Sequence, residues 1–336
     1  MEPVGMARTL AGDRRIVEFL DLLRKNADYA SGQSLAKKAG ISRSAVWKHI
    51  RRLRRLGYRI ESLHGKGYKL EGDTEYPVPW ELARVLKTSH MGKTVIYRES
   101  AQSTQNLAIA LAEKQGAHGT AVIAEQQTGG RGRLKRKWLS PKGGIWISVI
   151  LRPSIPTATS TLLPFVAAVA VCDAVREATG LDATLKWPND VMVKGKKVAG
   201  ILLDLSAEAE AVNYAVIGIG INANVESKKL HLDREGRPAI TSLSDELGHP
   251  VNRLQLTGLM LERLEQYLVL LEEKGPATIV ALWRKRSDML GRQASVAQQG
   301  KVVSGTAKDI GDDGSLIIAT AAGDVNVVSG DVTVSY

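Results

Sequence analysis

Apolar residues at helical spacing open the chain. Residues 13–25 carry an apolar helical face, and residues 31–50 predict two more helices separated by Gly40. Gly40 permits the turn between those helices, and the hydroxyl of Ser42 can cap the second one. Two short extended runs around a glycine-containing turn follow in residues 58–70, which predicts a β-hairpin. This order of elements predicts a winged helix-turn-helix.

From residue 81 the pattern changes to strands that alternate with helices. Strand-like runs occur at residues 95–97, 120–124, 145–151, 198–205 and 215–221, and helical patterns at 104–115, 162–179 and 254–274. From residue 294 short strands and glycine turns dominate, which predicts a small all-β barrel. The predicted fold class is α+β in three domains: a winged helix-turn-helix at 1–75, a mixed α/β domain at 81–285 and a small β domain at 286–336.

Composition narrows the protein class. Apolar residues make up 44% of the chain and the formal net charge is +11, so a globular protein with polyanionic partners is expected. The single cysteine, Cys172, excludes a disulfide framework within the chain and is interpreted as a core residue. The apolar run around it ends at Asp173, short of the roughly 20 residues of a membrane span. We therefore expect a cytoplasmic protein without membrane association.

Positive charge is concentrated in the predicted winged domain. Between Leu35 and Lys69 lie eleven lysines and arginines against one acid, Glu61. Basic side chains of this kind contact DNA phosphates, while the start of the second helix of such a motif reads bases in the major groove. A solvated basic helix face is the alternative, but turn, hairpin and charge together favour DNA binding. The predicted DNA contacts are Ser42, Arg43, Ser44, Trp47, Lys48 and, on the hairpin, Lys66.

Two further segments carry candidate chemistry. Residues 130–138, the glycine–arginine loop, join flexible glycines to alternating cations and end in Trp138. Glycines let backbone N–H groups approach a polyphosphate, arginine forks bind phosphate oxygens, and Trp138 could stack on a base. Residues 186–190, the KWPND segment, begin with Lys186, which could neutralise charge on a carboxylate attacking a phosphate. An RNA-binding loop and a surface strand end remain the alternatives for these two segments.

Standard nucleotide and metal motifs are absent from the sequence. Gly92-Lys93-Thr94 resembles the end of a P-loop, but Lys87 stands in place of its first glycine. Gly218 and Gly220 mimic a dinucleotide-binding fingerprint, but the polar residues 222–229 do not open an amphipathic helix. The histidines show no zinc-protease pattern, so we infer no metal ligands in the protein.

The ordered set of motifs resembles the biotin–protein ligase family. The glycine–arginine loop, the KWPND segment, residues 197–202 and residues 218–222 follow one another at family-like spacing. Residues 42–50 and 64–68 are similar to the winged domain of its regulatory class, the biotin operon repressor type. The resemblance covers nearly the whole chain and implies a class II synthetase-like catalytic domain with an SH3-like C-terminal domain.

The resemblance also implies a reaction and its residues. Biotin and Mg-ATP would form biotinyl-adenylate, whose acyl group passes to a lysine of a biotin carboxyl carrier protein. The glycine–arginine loop and the KWPND segment would converge on this one adenylate in a shared cavity. The adenylate-bound form would be a homodimer that binds operator DNA and represses biotin genes. By resemblance Lys186 and Arg133 are catalytic; the biotin contacts are Ser103, Thr104, Gln127, Arg131, Lys186 and Gly218; the nucleotide contacts are Arg131, Gly132, Arg133, Trp138 and Asn222.

Two other functions fit the same motifs. A DNA-binding biotin sensor without ligase activity is disfavoured by the retained Arg131, Arg133 and Lys186. A lipoate or octanoate ligase on the same fold is disfavoured by the glycine–arginine loop. The sequence departs from the family at Lys135, where glycine is common.

Overall fold

The computed structural model describes residues 4–209, 211–230, 239–298 and 301–334. Residues 1–81 and 82–336 form two separate compact units. The first unit holds three helices and a two-stranded antiparallel sheet: α1 Val4–Arg24, α2 Gly32–Ala39, α3 Arg43–Arg55, β1 Arg59–Leu63 and β2 Gly67–Gly72. Buried apolar residues of all three helices, including Phe19, Leu35 and Ile50, form its core.

Local chemistry sets the helix ends in this unit. Gly40 has φ +62° and ends α2, because only a residue that tolerates the left-handed region allows the sharp turn. The Ser42 Oγ accepts a hydrogen bond from the Ala45 N–H at 3.2 Å and caps α3. The winged helix-turn-helix that the sequence predicted is therefore present, with the turn and the cap on the expected residues.

The second unit is built on a seven-stranded sheet. Its elements are α4 Pro79–Val85, β3 Val95–Arg98, α5 Thr104–Ala112, β4 Ala121–Ala124, β5 Ile145–Leu151, α6 Leu163–Thr179, β6 Ala183–Lys186, β7 Asp190–Val193, β8 Lys196–Ala207, β9 Val212–Ile221, α7 Leu243–Leu247, α8 Arg253–Lys274 and α9 Pro276–Arg286. The strand order is β3-β4-β5-β9-β8-β7-β6, and every pair is antiparallel except β3 with β4. The sequence did not predict the hairpin β6–β7.

Helix α6 is the central core element. It packs against α8, α9 and the sheet, and Cys172 at its middle is fully buried. Burial raises the pKa of the Cys172 thiol to about 12, which fits a core residue and not a nucleophile. The helical stretch Thr157–Thr179 has the length and hydropathy of a membrane span, so it is longer than the apolar run expected from the sequence. Of its most apolar part, 72% is buried inside the protein.

A five-stranded antiparallel sheet completes the second unit. Its strands β10 Gln293–Gln298, β11 Lys301–Ile310, β12 Leu316–Thr320, β13 Gly323–Val327 and β14 Asp331–Val334 lie in the order β13-β12-β11-β10-β14. The Trp187 indole Nε1 donates to the Gly314 carbonyl at 2.9 Å, and Leu185 forms a parallel bridge with Ser287. These bonds attach the C-terminal sheet to the strand that carries the KWPND segment.

Candidate functional site

One cavity collects the two segments that the sequence singled out. Side chains of both the glycine–arginine loop and the KWPND segment line it, together with Thr333 from the C-terminal sheet. The two segments also touch directly, because the Arg133 Nη1 donates to the Asn189 Oδ1 at 3.1 Å. The expected convergence of these distant segments on a shared cavity is therefore present, and it brings Arg133 and Lys186 into the same site.

Backbone hydrogen bonds within the glycine–arginine loop hold its two sides together. The Trp138 N–H donates to the Gly130 carbonyl at 2.9 Å, and the Gly132 N–H donates to the Arg136 carbonyl at 2.7 Å. Leu134 and Lys135 have φ values of +53° and +57°. Both lie in the left-handed region that favours glycine. Lys135, at which the sequence departs from the family pattern, thus carries a side chain in a backbone conformation that favours glycine.

The KWPND segment forms the turn between β6 and β7. Lys186 ends β6 and is only 4% exposed, although it lines the cavity. The Asn189 amide donates to the Ile201 carbonyl of β8, which leaves its Oδ1 to accept from Arg133. The Asp190 carboxylate pairs with the Lys197 ammonium at 2.5 Å. The side chains of Asn189 and Asp190 are therefore each held by β8.

Lys197 is a site residue that the sequence reasoning did not assign. It lies on β8 and lines the cavity, with its ammonium 5.0 Å from the centre of the Trp138 ring. The position was quoted within residues 197–202 as part of the family pattern but was given no role. A signal was present in the sequence, because Lys194 and Gly195 predict a turn that places Lys197 on the strand next to the one that begins at Asp190.

The residues predicted for the biotin head group lie together at one end of the cavity. Ser103 caps α5, because its Oγ accepts a hydrogen bond from the Asn106 N–H at 3.4 Å. The Gln127 Oε1 accepts from the Thr104 N–H at 2.8 Å and lies 3.1 Å from the Thr104 hydroxyl. Gly218 faces this group from β9. Neighbouring Gln105 and Ser148 also line the cavity and were not predicted.

Trp138 lies flat on two glycines at the other end. Gly200 of β8 and Gly220 of β9 are paired across the sheet, and a Cβ on Gly220 would lie 2.6 Å from the Trp138 Nε1. This Nε1 is buried without a hydrogen-bond partner, and so is the Oδ1 of Asn222. Asn222 lines a smaller adjoining cavity that shares Trp138 and Ile240 with the main one. The indole therefore has an unpaired donor, and the unpaired acceptor belongs to Asn222, which lines the adjoining cavity together with the indole.

Arg131 does not point freely into solvent at the cavity mouth. Its Nη2 donates to the Asp204 Oδ2 at 3.3 Å, and both side chains are a little over one third exposed. Lys137 and Arg136 line the same rim. The rim therefore carries several cations and one carboxylate, an arrangement that attracts a polyphosphate.

The predicted DNA contacts all lie on the exterior of the first unit. Ser42, Arg43, Ser44, Trp47, Lys48 and Lys66 are exposed. The Trp47 side chain is 50% exposed, and the Arg51 guanidinium lies 4.6 Å above its ring. Opposite these residues, Val46 and Ile50 of the same helix are buried. The helix therefore presents a polar, basic face outward and an apolar face inward.

Comparison with known proteins finds three family models that match successive parts of the chain. A helix-turn-helix domain matches residues 15–69, the biotin/lipoate A/B protein ligase family matches residues 96–222, and the biotin protein ligase C-terminal domain matches residues 289–335. The bifunctional ligase/repressor BirA of Bacillus subtilis is 37% identical over 310 residues, which are 91% of this chain and 94% of that protein. The chain belongs to the biotin–protein ligase family. The ligase is of the bifunctional enzyme and repressor type, since the helix-turn-helix is present as well.

Further relatives extend the comparison of the ligase. The bifunctional ligase/repressor BirA of Escherichia coli is 29% identical over 310 residues, which are 91% of this chain and 93% of that protein. A structure of the biotin protein ligase from Aquifex aeolicus in complex with biotin and ATP has a TM-score of 0.62 at 30% identity and covers 72% of this chain and 99% of that chain. The fold class predicted from the sequence is confirmed by these matches.

Proposed function

We propose that the protein forms biotinyl-adenylate from biotin and ATP in this cavity and then biotinylates a lysine of a biotin carboxyl carrier protein. The observation that carries the proposal is the contact between Arg133 and Asn189, which joins the glycine–arginine loop to the KWPND segment around one cavity. In the first step the biotin carboxylate attacks the α-phosphorus and pyrophosphate leaves. In the second, the lysine amine attacks the acyl carbon and AMP leaves.

Charge stabilisation is the main task of the protein groups. Lys186 and Arg133 are proposed to neutralise the negative charge that accumulates as the carboxylate approaches the phosphate. We add Lys197 to them, because its ammonium lies between Trp138 and Asp190 in the same cavity. Magnesium is proposed to enter with ATP as the Mg-ATP substrate, held by the phosphates. The enclosing loop would keep water from the mixed anhydride.

The two ends of the cavity suit the two ends of the adenylate. Ser103, Thr104 and Gln127, with backbone groups of Arg131 and Gly218, are proposed to bind the biotin ring. Trp138 is proposed to stack on adenine, with Gly132 and Arg133 at the phosphate. The support is the unpaired acceptor of Asn222 beside the indole, because an exocyclic amine of adenine is a donor that could satisfy it.

The first unit is proposed to bind operator DNA. The exposed basic face of α3 and Lys66 on the hairpin supply phosphate contacts, and Trp47 lies among them. The adenylate-bound protein is proposed to act as a homodimer that spans two half-sites and represses biotin genes. ATP, carrier protein and DNA as partners favour a cytoplasmic location.

The decisive experiment is incubation with Mg-ATP, labelled biotin and a carboxyl-carrier domain. We expect biotin-dependent exchange of pyrophosphate into ATP and transfer of label to a carrier lysine. Lys186→Met and Lys197→Met should each lower the exchange rate by at least about 100-fold, whereas the exposed Lys93→Met, outside the cavity, should retain it. Exchange driven by lipoate or octanoate would instead favour the alternative acid, and absence of exchange with intact DNA binding would favour a sensor.

Operator binding needs a separate test on the full chain. Its affinity should fall steeply as salt rises, because phosphate contacts release counterions. Lys66→Ala should reduce the slope of that dependence, and Arg43→Ala should also relax the preference for the operator over unrelated DNA. A salt-independent affinity would contradict the proposal.

A further inference from the structure

A chain of hydrogen bonds lies directly behind the proposed biotin-ring residues. It begins at the Asp204 carboxylate on β8, to which the Gln105 Nε2 donates at 2.9 Å. It continues with the Ser148 hydroxyl, which donates to the Gln105 Oε1 at 2.8 Å, and ends at Thr104, whose Oγ lies 2.9 Å from the Ser148 Oγ. Gln105, Ser148 and Thr104 are each at most 3% exposed, so competition by water is small.

The direction of each hydrogen bond follows from the acceptors at its start. The Gln105 Nε2 lies 2.9 Å from both the Asp204 Oδ2 and the Val216 carbonyl, which can only accept. The amide of Gln105 must therefore present its NH₂ to these two oxygens and its Oε1 to Ser148. Because a serine hydroxyl has one hydrogen, that of Ser148 is committed to Gln105.

The same reasoning fixes the hydroxyl of Thr104. The contact between Thr104 and Ser148 needs one hydrogen, and Ser148 has none left, so Thr104 supplies it. The other neighbour within reach, the Gln127 Oε1 at 3.1 Å, is also an acceptor. In either orientation the Thr104 hydrogen is used inside the protein, and what its oxygen offers to the cavity is a lone pair.

A glycine on the facing strand allows this arrangement. An ideal Cβ at Gly218 would lie 2.5 Å from the Gln105 Oε1 and 3.2 Å from its Cδ. The amide of Gln105 therefore lies flat against β9 only because residue 218 has no side chain. The Asp204 carboxylate also accepts from Arg131, so one acid fixes both the hydrogen-bond chain and the rim of the cavity.

We propose that Asp204, Gln105 and Ser148 are positioning residues that make Thr104 a hydrogen-bond acceptor toward the bound acid. The inference rests on the proposed function. An acceptor at this point selects an acid whose ring presents an N–H donor, as the cyclic urea of biotin does. It selects against acids whose rings carry no N–H, such as the dithiolane of lipoate. The three residues thereby influence acid specificity through Thr104.

The test measures how strongly the full-length protein prefers a ligand whose ring carries an N–H donor over one with an oxygen acceptor at the same place. The probes are biotin and the two cyclic carbamate analogues in which one urea N–H is replaced by a ring oxygen, with Kd measured by calorimetry without ATP. In the unsubstituted protein at least one analogue should bind far more weakly than biotin. Ser148→Ala removes one of the two acceptors that hold the Thr104 hydrogen, so the hydroxyl can turn toward the cavity more readily and that ratio of Kd values should fall about fivefold or more.

A second variant and a matched control complete the test. Gln105→Met keeps the length of the side chain but removes the oxygen that accepts from Ser148. The Ser148 hydroxyl can then donate to Thr104 and occupy its lone pair, so this variant should also lower the ratio. Ser160→Ala removes a buried hydroxyl that donates to the Thr157 carbonyl away from the cavity, and it should leave the ratio unchanged. A folded Ser148→Ala or, if that variant does not fold, a folded Gln105→Met with the unsubstituted ratio would overturn the inference alone. Failure of the unsubstituted protein to bind biotin would overturn the proposed function as well.

Discussion

The close contact between the Trp138 indole and Gly220 gives a specific prediction for Gly220→Ala: the added methyl group should displace the indole. A Cβ at residue 220 would lie 2.6 Å from the indole Nε1 and 2.8 Å from Cε2. Because ordinary van der Waals contact begins near 3.4 Å, the indole must move by about 0.8 Å away from the sheet. The strand backbone cannot yield easily, since β9 is paired on both sides with β5 and β8.

The expected consequence is a loss of nucleotide binding that leaves biotin binding nearly intact. A displacement approaching 1 Å in a group that orients a reactant costs on the order of 100-fold in rate. We expect kcat/KM for ATP in biotin-dependent pyrophosphate exchange to fall by about this factor. The Kd for biotin alone should change little, because Thr104 and Gln127 lie at the other end of the cavity.

Gly200→Ala is the matched control, since residue 200 lies opposite Gly220 beneath the same ring. There the new Cβ would lie 3.1 Å from the nearest Trp138 atom and 3.2 Å from the Lys197 Cε and Nζ, so the ring and the flexible end of the lysine each need to move only a few tenths of an ångström. We expect a loss below about fivefold. Both changes replace a strand glycine by alanine and cause the same reduction in the backbone entropy that is lost on folding. A kcat/KM for ATP unchanged in Gly220→Ala, or an equal loss in both variants, would refute the reasoning.

Three further changes test the loop and the core. Arg133→Gly should let the adenylate escape and label lysines of bystander proteins; labelling confined to the carrier would contradict its role. Lys135→Gly should raise the free energy of unfolding by up to about 1 kcal/mol, because glycine relieves the left-handed φ, while Lys137→Gly should lower it, as urea titration would reveal. Arg253→Met should cost about 3–5 kcal/mol in the same titration, since it strands the buried Glu125 carboxylate that Arg253 contacts at 3.0 Å. A smaller loss than Lys137→Gly would show that the pair is not stabilising.

The parts predicted best from the sequence are those specified locally. The turn at Gly40 and the cap at Ser42 each act within a few residues, so the helix-turn-helix could be placed from its own segment. The glycine–arginine loop and Lys186 were found because a cation pattern or a family motif marked them. Their convergence could be named as an expectation, but nothing within either segment required it.

The parts that the sequence could not supply depend on strand register. Gly200 and Gly220 are a seat for Trp138 only because β8 and β9 pair at those residues. Ser148 reaches Gln105 only because β5 aligns Ser148 with Gly218. Serine and glutamine are common polar residues, and neither carries a mark of function along the chain. Lys197 is an intermediate case. The sequence predicts the turn before it, and its partner Asp190 belongs to the KWPND segment.

The bond between the Trp187 indole and the Gly314 carbonyl bears on how the molecule can be divided. Trp187 adjoins Lys186, and its backbone N–H also contacts the Met289 sulfur at 3.1 Å. A protein shortened before the last sheet would expose this buried indole and release the lysine beside it. The last five strands are therefore part of the catalyst itself, whereas the helix-turn-helix has its own core. Removal of the last sheet should therefore disturb Lys186, whereas removal of the helix-turn-helix should not.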